Sequence, residues 1–245
     1  MDTAEYKNIF ESEDSHFYYQ AVHNLILKLI DKFADTANQK PEILEAGCGT
    51  GLLSVKMGNI GNVSAIDMHD EALKFSRMRG VNSCKASVEA LPFPDDSFDI
   101  VTSVDVIYHR NVQDDSQALR EFRRVLKPGG TLVMRVPARQ ELHSTHDETV
   151  WTSRRYRSGQ LRSKLEQAGL HPLLVSYCHS ILYPPAFLKA KLEKALGSKP
   201  HSGVSKTSAS VNELLIKLLA AETNMIASGM TMPIGLGLIA VARPN

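Results

Sequence analysis

Apolar residues recur at helical spacing over 15–34, where Ala21, Val22, Leu25, Ile26, Leu29, Ile30 and Phe33 share one face, so an amphipathic helix opens the fold. The period then changes. Short apolar runs at 42–46, 62–66, 98–104 and 131–136 alternate with helical stretches near 52–58, 70–79 and 114–126. Strands interleaved with helices need right-handed crossovers, which predicts an α/β fold with a mainly parallel, doubly wound sheet. Lys127-Pro128-Gly129-Gly130 reads as a helix end turning into the next strand.

Beyond residue 137 a polar segment leads to a helix over about 158–168 that stops at Gly169, then an apolar run over 173–182 and a Pro184-Pro185 breaker. Two amphipathic helices follow at 186–196 and 211–226. Ser210 is the expected N-cap of the second, which carries Val211, Leu214, Leu215, Leu218 and Leu219 on one face. The polar stretch between them, 197–208, has too little apolar content to pack and is expected to be mobile. A last strand over about 234–242 closes the sheet. No internal repeat is present.

Composition narrows the function. Over 245 residues, 28 Lys and Arg balance 27 Asp and Glu, which fits one large domain with an elaboration and lacks the basic face of a nucleic-acid binder. Cys48, Cys84 and Cys178 are too few and too scattered for a disulfide framework or a CxxC metal site, which points to a reducing, cytoplasmic setting. Residues 1–16 have no apolar run and so no signal peptide of the usual form. The uncharged stretch 223–242 contains Asn224, Ser228, Gly229, Pro233, Gly235 and Gly237, which suits a helix end, a turn and a strand rather than a membrane span.

The densest signal is Glu45-Ala46-Gly47-Cys48-Gly49-Thr50-Gly51, a strand running into a glycine turn and then a helix, with Asp67 sixteen residues after Gly51 at the end of the second strand. A glycine turn alone marks only a tight bend. With the flanking strand and helix, and an acid placed to accept ribose hydroxyls, it marks a nucleoside cofactor site. A dinucleotide fingerprint requires a third glycine at position 52, which is Leu52. The GxGxG spacing preceded by Glu45 fits a cationic nucleoside without phosphates.

These residues, with Glu89-Ala90-Leu91-Pro92-Phe93-Pro94 before the strand at 98–104 and Arg123-Arg124-Val125-Leu126-Lys127-Pro128-Gly129-Gly130 before the next, resemble the class I S-adenosylmethionine-dependent methyltransferases of the type 11 and 12 group. Val136-Pro137-Ala138, His146-Asp147-Glu148 and Arg154-Arg155-Tyr156 are similar to elements of a bacterial subgroup. The resemblance implies a seven-stranded Rossmann-like methyltransferase sheet with an antiparallel last strand. It further implies S-adenosylmethionine as cofactor and S-adenosylhomocysteine as product. In that pattern Gly47, Cys48, Gly49 and Gly51 line the methionine and ribose, Cys48 as a small filler. Glu45 orients the amino group through its charge, Asp67 holds the ribose hydroxyls and Met68 packs on the adenine. Ser87 and Val88 read the adenine edge, Ser87 standing where the family usually has Asp.

The 104–109 segment is expected beside the transferable methyl. His109 is a candidate general base, with Asp105 orienting it or contacting the cofactor's amino group; a strand cap explains His109 equally well. Tyr108 interrupts the Glu-x-x-Glu-His metal site of ubiquinone-type O-methyltransferases, so no catalytic metal is expected. His146 is the second candidate base. Trp151, Arg154 and Tyr156 are read as an aromatic wall and anion clamp for the acceptor, or else as a solvated loop. Tyr18 and Tyr19 begin the first helix, as a lid or as core aromatics. Residues 183–232 are read as a helical insertion, covering the acceptor or pairing with a second subunit, on a cofactor domain of 1–182 and 233–245. The expected protein is a monomer or homodimer that methylates a small-molecule acceptor on O, N or S. A nucleic-acid or protein methyltransferase and an inactive cofactor-binding scaffold remain the alternatives.

Overall fold

Alternate residues of a strand point to opposite faces of its sheet, so a strand apolar at every position must be covered on both sides. That condition is met in the computed structural model, which describes residues 3–35, 40–196 and 207–245. Strands β1 (Glu42–Ala46), β2 (Asn62–Asp67), β3 (Ser83–Lys85), β4 (Phe98–Val104), β5 (Leu126–Pro137), β6 (Leu170–Cys178) and β7 (Gly237–Pro244) form one sheet in the order β3-β2-β1-β4-β5-β7-β6. The strands β1 to β5 pair in parallel, and β7 runs antiparallel to both its neighbours. The expected seven-stranded, mainly parallel sheet with an antiparallel last strand is therefore the fold observed.

On one face, Leu44, Val101, Leu132, Met134 and Leu238 pack under α5 (Asp115–Val125) and α7 (Ser158–Gln167) through Leu119, Phe122, Leu161 and Leu165. On the other, Ile43, Ile100, Val133, Ile239 and Val241 meet α2 (Phe17–Phe33), through Leu25, Ile26, Leu29 and Ile30, and α3 (Leu52–Met57), through Leu53 and Met57. Chain order reverses between β1 and β4, the switch point at which an open α/β sheet leaves a crevice beyond its carboxyl edge.

Several boundaries depart from the sequence expectation. A helix α1 (Thr3–Ser12) precedes α2, whose cap is His16, its Nδ1 accepting from the Tyr18 N–H. The short β3 carries too few residues for a periodic signal, and α4 (Asp70–Met78) joins it to β2. Lys127–Gly130 bulges inside β5, whose ladder steps from Phe98–Leu126 to Ile100–Thr131. Between β6 and β7 stand α8 (Tyr183–Leu196) and α9 (Ala209–Ala227). Pro184 and Pro185 occupy the first turn of α8 rather than breaking the chain, because amides there have no intrahelical partner to lose. The α9 cap is Ser208, not Ser210, and it makes no side-chain capping bond. The predicted leucine face of α9 is split. Leu219 is buried and Ile226 joins the α2 core, while Val211, Leu214 and Leu218 face outward. Most of the expected mobile stretch, 197–206, lies outside the described residues.

Burial sets the energetic contrast. Phe122 is fully buried between α5 and the sheet, so Phe122→Ala should cost about 3–5 kcal/mol. Leu192 on α8 is 52% exposed, and Leu192→Ala should change stability by less than about 0.5 kcal/mol. Urea unfolding of both variants measures the difference.

Candidate active site

At the switch point lies a cavity of about 730 Å³, floored by the β1–α3 turn. The turn is held to β2 by backbone bonds from Gly47 and Cys48 N–H to the Ile66 carbonyl, at 2.9 and 2.8 Å, and by Gly49 N–H donating to Asp67 Oδ2 at 3.0 Å. Gly47 has φ 94°, and a Cβ there would lie 2.2 Å from Val106 Cγ2, so no side chain fits. A Cβ on Gly49 would meet nothing within 4 Å, which leaves the backbone bare toward the cavity. Gly51 caps α3 against Ser76 and does not line the cavity, contrary to its expected place beside the cofactor.

Asp67, Glu45 and Asp105 are among the carboxyl groups that line this space. Asp67 also accepts from the His69 N–H at 2.9 Å, and burial raises its pKa. Each of its oxygens keeps a second lone pair for a ribose hydroxyl. Glu45 occupies the inward position two residues after Ile43, 3% exposed, with Ser54 donating to it. Burial pushes its pKa up to about 8, so the charge expected of Glu45 forms readily only when a cation joins it. Asp105, at a left-handed φ of 55°, receives the Arg135 guanidinium on Oδ2, while its buried Oδ1 has no hydrogen-bond partner among the described residues.

Arg135, 2% exposed, was not among the expected site residues; a charge inside the apolar run 131–136 is the signal that marks it. It follows Val133 on the α2 face of β5, and its Nη2 donates to the Tyr18 hydroxyl at 2.9 Å. With its oxygen accepting that bond, Tyr18 has its own proton to donate, and its ring lines the cavity with Tyr19. Tyr6 and Ile9 of α1 and Glu13 beyond it complete the roof. Glu13 accepts from Thr50 in the glycine turn and from Arg79 of α4, which ties the end of α1 over the loop.

The acceptor-side motifs act differently from their expected roles. Arg154 donates to the Val112 carbonyl at 2.9 Å and pairs with Asp115 at 3.6 Å. The Tyr156 hydroxyl donates to Asp115 at 2.8 Å, with the ring 1% exposed. Neither lines the cavity, and both staple the segment after β5 to α5. Arg155 grips Asp147 with two bonds of 2.9 Å. Asp147 also accepts from Ser144 N–H and hydroxyl, and this fixes the short helix α6 (Thr145–Thr149) that presents His146. Trp151 also lies off the cavity wall, its ring 3.5 Å from the Arg110 guanidinium and 5.6 Å from the ring of His109. These residues were misplaced because spacing puts them on the correct edge of the sheet but does not say which way each side chain turns.

The two candidate bases are both neutral. His109 accepts the Asn111 N–H on Nδ1 at 3.2 Å, and burial pushes its pKa down to about 3. Its ring lies 5.5 Å from that of His69, two residues beyond Asp67, which places it on the nucleoside side. His146 lines the cavity, as do Leu142, Val150 and Leu182; burial lowers its pKa, and its buried Nδ1 has no hydrogen-bond partner among the described residues. Met68 and Val88 line the cavity and Cys48 fills the turn, its thiol raised by burial. Ser87 accepts from the Glu89 N–H in a turn and does not reach the cavity. Among the described residues no group of three or more His, Cys, Asp or Glu side chains is placed to hold a metal ion.

The elevated Glu45 pKa carries a pH signature. The folded state holds a proton that the unfolded chain releases near pH 4.5, so stability falls as pH rises from about 5 to 8. In Glu45→Gln this slope should flatten, measured as melting temperature against pH without ligand.

Residues 44–134 match the family described as a methyltransferase domain. The chain is similar to the ubiquinone/menaquinone biosynthesis C-methyltransferase UbiE of Shewanella sediminis, at 39% identity over 114 residues, 41% of this chain and 45% of that protein. The UbiE of a Marinomonas species is 41% identical over 104 residues, 38% of this chain and 41% of its own length. The chain thus spans under half the length of these curated relatives. Among solved structures, a S-adenosylmethionine-dependent methyltransferase of Mesorhizobium loti superposes with a TM-score of 0.61 at 17% identity, covering 95% of this chain and 100% of that one. A possible histamine N-methyltransferase of Thermotoga maritima gives 0.58 at 19% identity, over 99% and 95%. The methyltransferase-domain match over residues 44–134 thus runs from β1 into β5 of this sheet, and the solved methyltransferases share its fold.

Proposed function

We propose that the protein transfers a methyl group from S-adenosylmethionine to a small molecule with an apolar body. The observation that carries this reading is one cavity lined by two chemically distinct sets of residues. One set is a bare glycine backbone and the carboxyl groups of Glu45, Asp67 and Asp105, which favour a cation with ribose hydroxyls. The other is Leu142, Val150, Leu182, Pro185 and Ala186 with His146.

The residues fit the cofactor. Asp67 would take the ribose hydroxyls, Met68 and Val88 the adenine, and Glu45 with the unpartnered Oδ1 of Asp105 the ammonium. Bound there, the cofactor supplies a methyl on a sulfonium, open to displacement by a nucleophile in line with it. The chain's own part is to orient, to exclude water and to receive a proton. Most of the acceleration would come from positioning in a dry cavity. The roof of Tyr18, Tyr19 and α1 removes water, and Arg135 holds Tyr18 and Asp105 in place. His146, kept neutral by burial, would take a proton from an acceptor that is protonated at working pH. The UbiE relatives are named for C-methylation in quinone biosynthesis, and the apolar set suits an acceptor of that size and character. The family match stops at 134, before the elements that carry this set, so the receiving atom is not inherited from the match. Within 183–232, α8 contributes the cavity's outer wall, which supports the reading of that segment as a cover over the acceptor.

Asp67→Ala should weaken S-adenosylhomocysteine binding roughly 10- to 100-fold in calorimetric titration, from the loss of charge-assisted bonds. Unchanged affinity would refute the nucleoside site. Incubation with methyl-labelled cofactor and a cell extract, followed by mass spectrometry of small molecules, should reveal a labelled product. With that product in hand, His146→Ala should lower kcat by roughly a hundredfold with cofactor affinity preserved.

A further inference from the structure

Nine of the twelve large apolar side chains exposed among the described residues fall between Ile181 and Met230. Three of them, Leu188, Leu192 and Leu196, are spaced four apart on α8 and are 60%, 52% and 77% exposed. At about 100° per residue they span an outer arc of roughly 80°, opposite the buried Ala190 and Glu193. Lys189, which also reaches Glu193 Oε1 at 3.7 Å, and Lys191 flank the arc on either side, while Lys194 lies on the far side of the helix, and all three are exposed. The helix's one acid, Glu193, is buried and accepts the N–H and hydroxyl of Thr145, which anchors α8 to α6. Every exposed charge on α8 is therefore positive, and none of the exposed leucines is needed by the core.

The inner side of the same helix lines the cavity. Leu182, Pro185, Ala186 and Lys189 border it, so the exposed stripe begins at the rim of the cavity. No helix among the described residues is long and apolar enough to cross a membrane, so lipid contact here means lying on the surface.

We infer that α8 adsorbs to an anionic lipid surface, its leucine stripe entering the headgroup boundary and its flanking lysines meeting lipid phosphates, with the cavity rim held against that surface. Apolar area and lysine charge both contribute to such adsorption, and lysine stems accommodate it by placing the ammonium at headgroup level. The uniformly positive margin favours anionic lipid over a second copy of the chain, which would set lysine against lysine. Delivery of an apolar acceptor from that surface rests on the methyl-transfer reading above, whereas adsorption does not.

Cosedimentation of the full chain with vesicles tests this. Binding should be clear on phosphatidylcholine vesicles with about one-third phosphatidylglycerol, weak on phosphatidylcholine alone, and reduced by added salt. Leu188→Ser with Leu192→Ser, and separately Lys191→Glu with Lys194→Glu, should each lower binding at least about tenfold, while melting temperature and S-adenosylhomocysteine affinity stay at the wild-type level. Absence of wild-type binding to the anionic vesicles, or wild-type binding by both double variants, would overturn the inference. So would a dimer in light scattering that Leu192→Asp converts to monomer in a protein that does not bind vesicles, since the face would then belong to a second copy. Cofactor affinity is read on the same samples, so failure of the methyltransferase reading registers separately from failure of adsorption.

Discussion

The hydrogen bond from Gly49 N–H to Asp67 is the contact on which the site depends. It joins the turn after β1 to the end of β2 and, with the bonds from Gly47 and Cys48 to Ile66, bends the chain over the sheet edge. The bend leaves backbone exposed where a side chain would otherwise stand, and it holds the Asp67 carboxylate over the same space. Neither half works alone: without the acid the loop loses its anchor, and without the missing Cβ at Gly47 the approach is closed by Val106.

The same edge is where the core changes character. Along the α2 face, Ile43 is followed by Glu45 and Val133 by Arg135, so each of these two strands carries a charged residue near its carboxyl end. Buried charges survive only with partners or with shifted pKa values, and both solutions appear. Arg135 is held by Asp105 and Tyr18, while burial raises the pKa of Glu45, which accepts from Ser54. A polar rung at the carboxyl end of an otherwise apolar sheet is thus set ready for a charged ligand. The motifs downstream of β5 support it from outside, Asp115 gathering Arg154, Tyr156 and Lys164, and Asp147 gathering Arg155 and Ser144. These residues resembled a substrate pocket because they lie on the correct edge, yet their charges are spent on each other.

The helices between β6 and β7 divide their labour by face. The inner side of α9 completes the α2 core through Ile226, and the first turn of α8 lines the cavity through Pro185 and Ala186. Their outer sides carry most of the exposed leucine among the described residues. One amphipathic pattern therefore covers two needs, and the hydrophobic period alone does not say which residues face inward.

The alternation of short apolar runs with helical stretches was enough to determine a doubly wound α/β sheet, and the strand, GxGxG turn and Asp67 were enough to mark one wall of the cavity, because these are local patterns whose geometry follows from a few consecutive residues. Glu45, Gly47, Cys48, Gly49, Asp67, Met68, Val88, Asp105, Tyr18, His109 and His146 do share one cavity. Only the tertiary structure decided that Trp151, Arg154 and Tyr156 turn away, that Gly51 and Ser87 serve turns, and that Arg135 stands behind Tyr18. Those outcomes depend on which of several distant partners satisfies each buried charge, and partners such as Asp115 for Tyr156 or Tyr18 for Arg135 lie 41 and 117 residues away along the chain. No spacing rule reaches that far; the folding of the sheet edge does.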